Sequence, residues 1–455
     1  LPAFTPPRPT NLSAIGGLIR ALWRGDGDLL SLLPNKATKV PIGNLGHSRR
    51  SIRIVNDPAL TRRIFADEEG IFPKNDLMVG ALEPLIGGSI FVSHGERWRR
   101  DRRMIDPAFT HMRVGEAFPQ MNAAIDAAME RLGEAADRGE RLSLDLAMSR
   151  LTADVICRTV FSVSLEAEMA QGVFEDFAIF ERSAAQVEIL RLIAAPAFAP
   201  IRQHPHVLAA CARIRERLGA LVDTHLGENE GRHDDIAAAV IAARDEATGA
   251  RFTRDELIDQ LGVMFLAGHE TTASGLTWAF FIIARHDETR RRMREEIARV
   301  CGDGPIGLEA VKRLTFCRNV FRETLRLYPP ITFIPRVALK PTELGGCPIK
   351  RGAMLMIAPW AIHRHERHWS APDAFDPDRF ASGREEAIPP GAYIPFGQGP
   401  RICVGAAFAT VEATLILARL VRAFDVEIEA PERVRPVARL TTRPAEEIRV
   451  RVRRR

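Results

Sequence analysis

Cys403 stands in the run Phe396-Gly397-Gln398-Gly399-Pro400-Arg401-Ile402-Cys403-Val404-Gly405, a glycine-rich loop that opens onto the apolar pattern AAFATVEATLILARLVRAF. Backbone N–H groups at a helix N-terminus point at such a sulfur, and the helix dipole lowers a thiol pKa, so a thiolate is the expected species. The glycines let the backbone pass close to something flat and large. Phe396 and Arg401 add an aromatic wall and a cation. A single thiolate in that setting has the chemistry of an axial iron ligand. The alternative is a buried structural cysteine behind a loop.

Three other groups of residues have types and spacing that bear on chemistry. Glu323 and Arg326 lie three apart and share a helix face. Surface ion pairs are common at that spacing, so the pair by itself assigns no role. Ala267-Gly268-His269-Glu270-Thr271-Thr272 sets polar residues in the middle of an apolar run. Threonine hydroxyls bonded back to the preceding turn would account for them structurally. Arg97, Arg99, Arg100, Arg102 and Arg103 crowd one short helix, expected at about Glu96–Ile105. They read either as a solvated face or as a basic patch for an acidic electron-transfer protein.

The elements that must position these groups are mostly helices. Thr253-Arg254-Asp255-Glu256 is a capping box, and apolar character then continues for some thirty residues. Such a helix is about 45 Å long, the width of a domain, and its all-round apolarity marks it as buried. Residues 113–245 repeat apolar positions at three- and four-residue spacing. Further helices are expected at 287–301, 308–313 and 316–328, the last stopped by Pro329-Pro330. Short strands follow, and the tail after Phe424 reads as terminal strands. Residues 1–70 read as turns with strand-like runs such as 51–55, and 71–93 as an irregular loop. Residues 1–26 are proline-rich, then weakly amphipathic.

Composition narrows the class. Net charge is +5, too small to point to nucleic acid, and 57 arginines against 6 lysines fit a GC-rich bacterial genome. The six cysteines are scattered without a CxxC pair, which excludes a disulfide scaffold, a zinc site and an iron–sulfur cluster. They point to a reducing cytoplasm. No run of about 18 apolar residues marks a membrane span.

The Cys403 loop resembles the haem-binding loop of the cytochrome P450 family, FxxGxRxCxG, at every fixed position. The other groups fall in that family's order. The resemblance implies a soluble bacterial haem-thiolate monooxygenase. Its fold would be mainly α with a minor β part: a triangular helical prism with a long central helix and small sheets. One haem domain would cover 1–455, with no fused reductase or ferredoxin. Cys403 would ligate the iron of haem b. Glu323, Arg326 and Arg379 would form a buried structural triad behind the loop. Thr271 would hydrogen-bond the oxygen and Glu270 would feed protons inward, with Gly268 opening the backbone to O2 or substrate. Trp98, Arg102, His94, Arg336 and Arg401 would hold the haem carboxylates, with Phe396 against the ring. Leu77, Met78, Leu82, Leu85, Val263, Met264, Ala267, Ile331, Thr332, Leu440 and Thr441 would face a small hydrophobic substrate. His363-Arg364-His365 departs from the family's usual Arg-Asp pair, an alteration expected in local surface pairing. The implied reaction is hydroxylation or O-demethylation by a cytoplasmic monomer, with O2 and electrons from a separate ferredoxin and its reductase. The rival readings are a peroxide-driven hydroxylase, which typically lacks the acid–threonine pair, and a non-catalytic haem sensor or electron carrier.

Overall fold

The structure is a computed structural model that describes residues 4–9, 16–17, 19–20, 23, 28–34, 36–45, 48, 50–184, 196–199, 201–227 and 234–455. Most of the amphipathic reading of 1–26, and parts of the helical reading of 113–245, lie outside the described residues.

The chain folds around α9 (Arg254–Arg285), whose N-terminus carries the expected capping box between Thr253 and Glu256. Of the 32 residues of α9, 24 are buried. Ahead of it run α1 (Pro58–Ala66), α2 (Asp76–Ile86), α3 (Gly95–Ile105), α4 (His111–Arg138), α5 (Leu144–Phe161), α6 (Glu168–Ala184), α7 (Pro205–Leu226) and α8 (Ile236–Ala242). After it come α10 (Asp287–Cys301), α11 (Leu308–Arg313), α12 (Thr315–Leu327), α13 (Pro359–Ile362) and α14 (Ala406–Ala423). Helices α2, α5, α7, α12 and α14 all pack on α9. The main apolar cluster follows these contacts along its length.

The β part is small and divided. The largest sheet has the order β1 (Ile42–Asn44), β2 (Arg53–Val55), β7 (Met354–Ile357), β4 (Ile334–Val337). Only its β2–β7 pair is parallel. Next in chain order are β3 (Arg141–Ser143), β5 (Thr342–Leu344), β6 (Cys347–Ile349), β8 (Phe424–Ile428), β9 (Pro436–Ala438), β10 (Thr442–Pro444) and β11 (Arg449–Arg454). They form the sheet β3-β11-β8 and the hairpins β9-β10 and β5-β6.

Two expectations are corrected. The first 70 residues contain a helix, α1, begun by Asp57, whose side chain accepts the Ala59 and Leu60 N–H groups ahead of Pro58 at the first helical position. Residues 71–93 are not wholly irregular, because Asn75 caps α2 by accepting the Leu77 N–H. Gly80 and Pro84 hid that helix from a reading of apolar spacing.

Candidate functional site

The Cys403 loop is built from residues upward as its glycines require. Gly397 and Gly399 have φ of 76° and 74°, where a side chain is strained, and a Cβ at Gly399 would lie 3.2 Å from the Phe65 carbonyl oxygen. The Cys403 N–H donates to the Phe396 carbonyl at 2.9 Å, closing the loop. Gly405 is the N-cap of α14, and its N–H addresses the Cys403 sulfur. Arg102 donates to the Ile402 carbonyl at 2.7 Å and pairs with Asp106. Cys403 sits deep in the molecule yet keeps accessible surface, so its thiol faces an internal space. Burial raises the thiol pKa, against the pull of the Gly405 N–H and Arg102. The expected lowering by the helix N-terminus is therefore outweighed in the protein alone.

Behind the loop, the expected triad is assembled. Arg326 donates from Nε and Nη2 to the two Glu323 carboxylate oxygens, each at 2.7 Å, and neither side chain has exposed surface. Arg379 Nε reaches Glu323 Oε1 at 3.3 Å, and the Asp376 N–H donates to the same oxygen at 2.9 Å. The remaining Arg326 donors go to the carbonyls of His363, Pro372 and Ala374. The triad thus ties α12 to the segment that leads into the Cys403 loop. His363, Arg364 and His365 lie inside this region, not at the surface as expected. His363 accepts the Ile394 N–H at 2.8 Å, and Arg364 stacks on Trp360 at 3.8 Å.

Three cations face one another near the loop. Arg401 donates to the Ser93 carbonyl at 2.8 Å and stacks over Trp98 at 4.3 Å, while its Nη1 is buried without a partner, as is Ser93 Oγ. Arg336, on β4, is buried over Phe65, and Lys74 bridges to its backbone. Burial, then the repulsion of Arg401, pushes the Arg336 pKa down to about 10. Burial, then Arg336 and Arg401, pulls the Lys74 pKa well below the usual lysine range. Asp67 is the carboxylate felt by both arginines. An enclosed, accessible thiol beside clustered cations with an orphaned guanidinium nitrogen fits a flat iron-bearing group with acidic substituents. Lys74 was missed in the sequence, where a lone lysine in a loop gives no signal.

The other expected anchors sit differently. His94 is an exposed N-cap of α3 whose side chain makes no capping bond. The five arginines of α3 each have an acid partner: Arg97 with Asp101 and Asp259, Arg99 with Glu96, Arg100 with Asp101 and Glu256, Arg102 with Asp106, and Arg103 with Asp245. The helix is therefore not a bare basic patch.

Midway along α9, Ala267 is exposed and Thr271 half-buried, a notch in a buried helix one turn in height. Thr271 Oγ1 donates back to the Ala267 carbonyl at 2.7 Å, leaving its lone pairs free to accept. Gly268 does not open the backbone to a ligand, because a Cβ there would lie 2.4 Å from Ile156 Cδ1. That glycine admits α5. Glu270 turns away from the notch and is buried against Arg443, whose Nε donates at 2.8 Å, and Thr441, whose hydroxyl donates at 2.6 Å. His269 packs among Phe174, Phe177 and Phe265 and is no ligand. Of the expected pocket, Leu77, Met78, Ile331 and Leu440 keep accessible surface like Ala267. Leu82, Leu85, Val263 and Met264 are buried in the core, and the hydroxyls of Thr332 and Thr441 are spent on Thr442 and Glu270.

A family model described as Cytochrome P450 matches residues 6–451. The chain is 31% identical over 421 residues to cyclooctat-9-en-7-ol 5-monooxygenase of Streptomyces melanosporofaciens, covering 89% of this chain and 86% of that protein. It is 28% identical over 401 residues to pentalenene oxygenase of Streptomyces avermitilis, covering 87% and 86%. Its fold superposes on the crystal structure of the cytochrome P450DA heme domain with a TM-score of 0.80 at 25% identity, covering 91% and 90% of the two chains.

Proposed function

The chain belongs to the cytochrome P450 family and is a monooxygenase of that family; on that premise we propose that Cys403 holds a haem iron as its thiolate, and that one oxygen atom from O2 enters a C–H bond of an apolar substrate. The observation that carries the residue assignment is the Cys403 thiol, enclosed by the molecule, accessible, and addressed by the Gly405 N–H. We take the group to be haem b, because the sequence has no CxxC through which a haem would be covalently attached.

When bound, the haem supplies the iron at which O2 is reduced by two electrons and two protons, one oxygen atom going to substrate and one to water. The chain's own residues do the rest. The Gly405 N–H stabilises negative charge on the sulfur, and the Glu323–Arg326–Arg379 triad holds the loop still. Arg401, Arg336 and Lys74 neutralise the haem carboxylates. Thr271, bonded back to Ala267, presents its lone pairs to a proton donor, and Glu270 is held beside it in sequence as a carboxylate. Leu77, Met78, Ala267, Ile331 and Leu440 make an apolar surface that excludes water from the substrate. The apolar lining, together with relatives named for pentalenene and cyclooctat-9-en-7-ol, supports a hydrophobic substrate hydroxylated at carbon. Residues 1–455 make one haem domain, a monomer in the cytoplasm that takes its electrons from a separate ferredoxin-type donor. All six cysteines are free, and no helix among the described residues is long and apolar enough to cross a membrane.

The test is the absorption spectrum of dithionite-reduced protein under carbon monoxide. A Soret band at the red-shifted position of thiolate-ligated haem is expected for the wild type, and a band at the ordinary position for Cys403→His. A wild-type band at the ordinary position would remove Cys403 from the role of ligand.

A further inference from the structure

Arg443 lies between two carboxylates. On β10, its Nε donates to Glu270 Oε1 at 2.8 Å, and its Nη2 meets Glu270 Oε2. Glu181, near the end of α6, stands with Oε1 3.5 Å from Arg443 Nε. From α5, Ser149 Oγ lies 3.3 Å from both terminal nitrogens of Arg443, and Asp145 adds its charge at longer range. Arg439, in the turn between β9 and β10, is the further cation that Glu181 feels. His269 Nε2 is 4.0 Å from Glu270 Oε2, and burial keeps that imidazole neutral. The enclosed cluster therefore holds two carboxyl groups against one buried guanidinium, and a low-dielectric site of that composition is neutral when one carboxyl keeps its proton.

The two carboxyls are not equivalent. The Glu270 side chain is 1% exposed and that of Glu181 27% exposed. We propose that Glu181 and Glu270 share one exchangeable proton across Arg443, with Glu181 taking it from solvent and Glu270, next to Thr271 in sequence, holding it at the buried end. The step is a proton transfer alone. The Glu181 carboxylic acid gives its proton to the Glu270 carboxylate, Arg443 stays with whichever carboxyl is charged, and solvent returns a proton to Glu181. The resting arrangement follows the same geometry: burial, then the Glu270 charge, lifts Glu181 to about 8, while at Glu270 burial is outweighed by Arg443 together with its other partners, Thr441 among them, which keep it ionised. Glu181 is thus a positioning residue that acts through Glu270. Its role in turnover deepens the monooxygenase reading above and rests on it; the sharing of the proton does not need turnover.

The experiment is an infrared titration of the haem-loaded full chain between about pH 6 and about pH 10, on wild type, Glu181→Gln and Glu181→Asp, each in a Glu412→Gln background so that this second buried acid, on α14, contributes no band. The expected wild-type signal is a carboxylic-acid carbonyl stretch that disappears as pH rises through about 8. It should be absent in Glu181→Gln, and it should titrate at lower pH in Glu181→Asp, whose shorter side chain stands further from Glu270. The same three proteins, driven by surrogate electron donors, are then scored for product per NADPH. Wild type should lose coupling to hydrogen peroxide above that pH, Glu181→Gln should be poorly coupled at every pH, and Glu181→Asp should restore a pH break. A carboxylic-acid band that survives in Glu181→Gln, a titration unmoved in Glu181→Asp, or a wild-type coupling profile in Glu181→Gln would each overturn the proposal. The infrared result is read whether or not the protein turns over. Failure of the haem reading would instead appear in the carbon monoxide spectrum.

Discussion

An ammonium group taken out of water beside two guanidiniums is destabilising until an anion joins it, and the face of one phenylalanine ring offsets only part of that cost. Lys74 is in that position, 3.3 Å above the Phe91 ring and repelled by Arg336 and Arg401. Lys74→Met should therefore act with opposite signs in two assays. It should stabilise protein expressed without haem by on the order of 1 kcal/mol, read as a higher thermal midpoint, and speed haem loss from loaded protein. A variant that lowers both would show Lys74 to be a packing residue only. Glu323 presents the converse case. Glu323→Ala leaves Arg326 and Arg379 buried without their carboxylate, a loss of about 3–5 kcal/mol for a pair of this kind. The expected result is soluble protein with a markedly reduced ratio of Soret to protein absorbance. Cys403, Glu323, Arg326 and Arg379 were legible in the sequence because their motifs, taken together and in chain order, resemble those of the family. Lys74 was not, because only the β4 crossing brings it to Arg336.

At the scale of elements, the helices announced by caps and stops were legible to within a residue or two. Helix α9 begins at its capping box, and α12 ends before Pro329-Pro330. Helix α2 was hidden because Gly80 and Pro84 interrupt it, and α1 because it is only nine residues long, its cap Asp57 and first residue Pro58 reading equally well as a turn. The facing of residues around α9 was not legible, since a buried helix has no polar side from which to take its phase. Gly268 shows the consequence. It serves the contact between α9 and α5, with Ile156 Cδ1 and Cγ1 at 2.4 Å and 2.9 Å from where a Cβ would stand. Gly268→Ala gains about 1 kcal/mol of helix propensity and pays about 1–3 kcal/mol for overpacking. The net expectation is a loss, read as a lower urea midpoint. In an Ile156→Ala background the clash is gone, so the same substitution should stabilise. An unchanged sign in the two backgrounds would mean that α5 does not set this contact.

At the scale of the whole molecule, the buried titratable groups make stability depend on pH with two limbs of opposite sign. His363 is fully buried, accepts the Ile394 N–H at Nε2 and places Nδ1 3.2 Å from the Arg326 carbonyl, so the fold holds it neutral; burial, then Arg326, pushes its pKa down to about 3. Burial also lowers His269, His286 and His365. As pH falls below about 6.5, the unfolded chain takes up protons that these histidines refuse, and stability drops by up to about 1.4 kcal/mol per pH unit for each such group. The carboxyls run the other way. Glu412 is buried on α14 with no cation among the described residues beside it, and burial, only partly offset by the Thr272 hydroxyl, raises it well above the usual range; burial raises Glu181 too. From about pH 4.5 upward the unfolded chain releases protons that these two keep, so stability falls as pH rises. His225, raised by its bond to Asp235, loses its contribution in the same direction above about pH 6.5. Below that value the limbs oppose each other; above it the carboxyls and His225 make stability fall, opposed by Lys74, whose lowered pKa acts in the other direction. Urea unfolding followed at intervals from about pH 3.5 to about pH 9 should therefore show declining stability on the alkaline side. Glu412→Gln should flatten that decline without changing the slope below about pH 4.5, where the carboxyl is protonated in both states. His363→Gln should leave the alkaline limb untouched and make stability less sensitive to acid between about pH 6.5 and about pH 5. A Glu412→Gln variant that declines as steeply as wild type would mean that this carboxyl is ionised in the fold, with a partner for its charge inside the contact between α14 and α9.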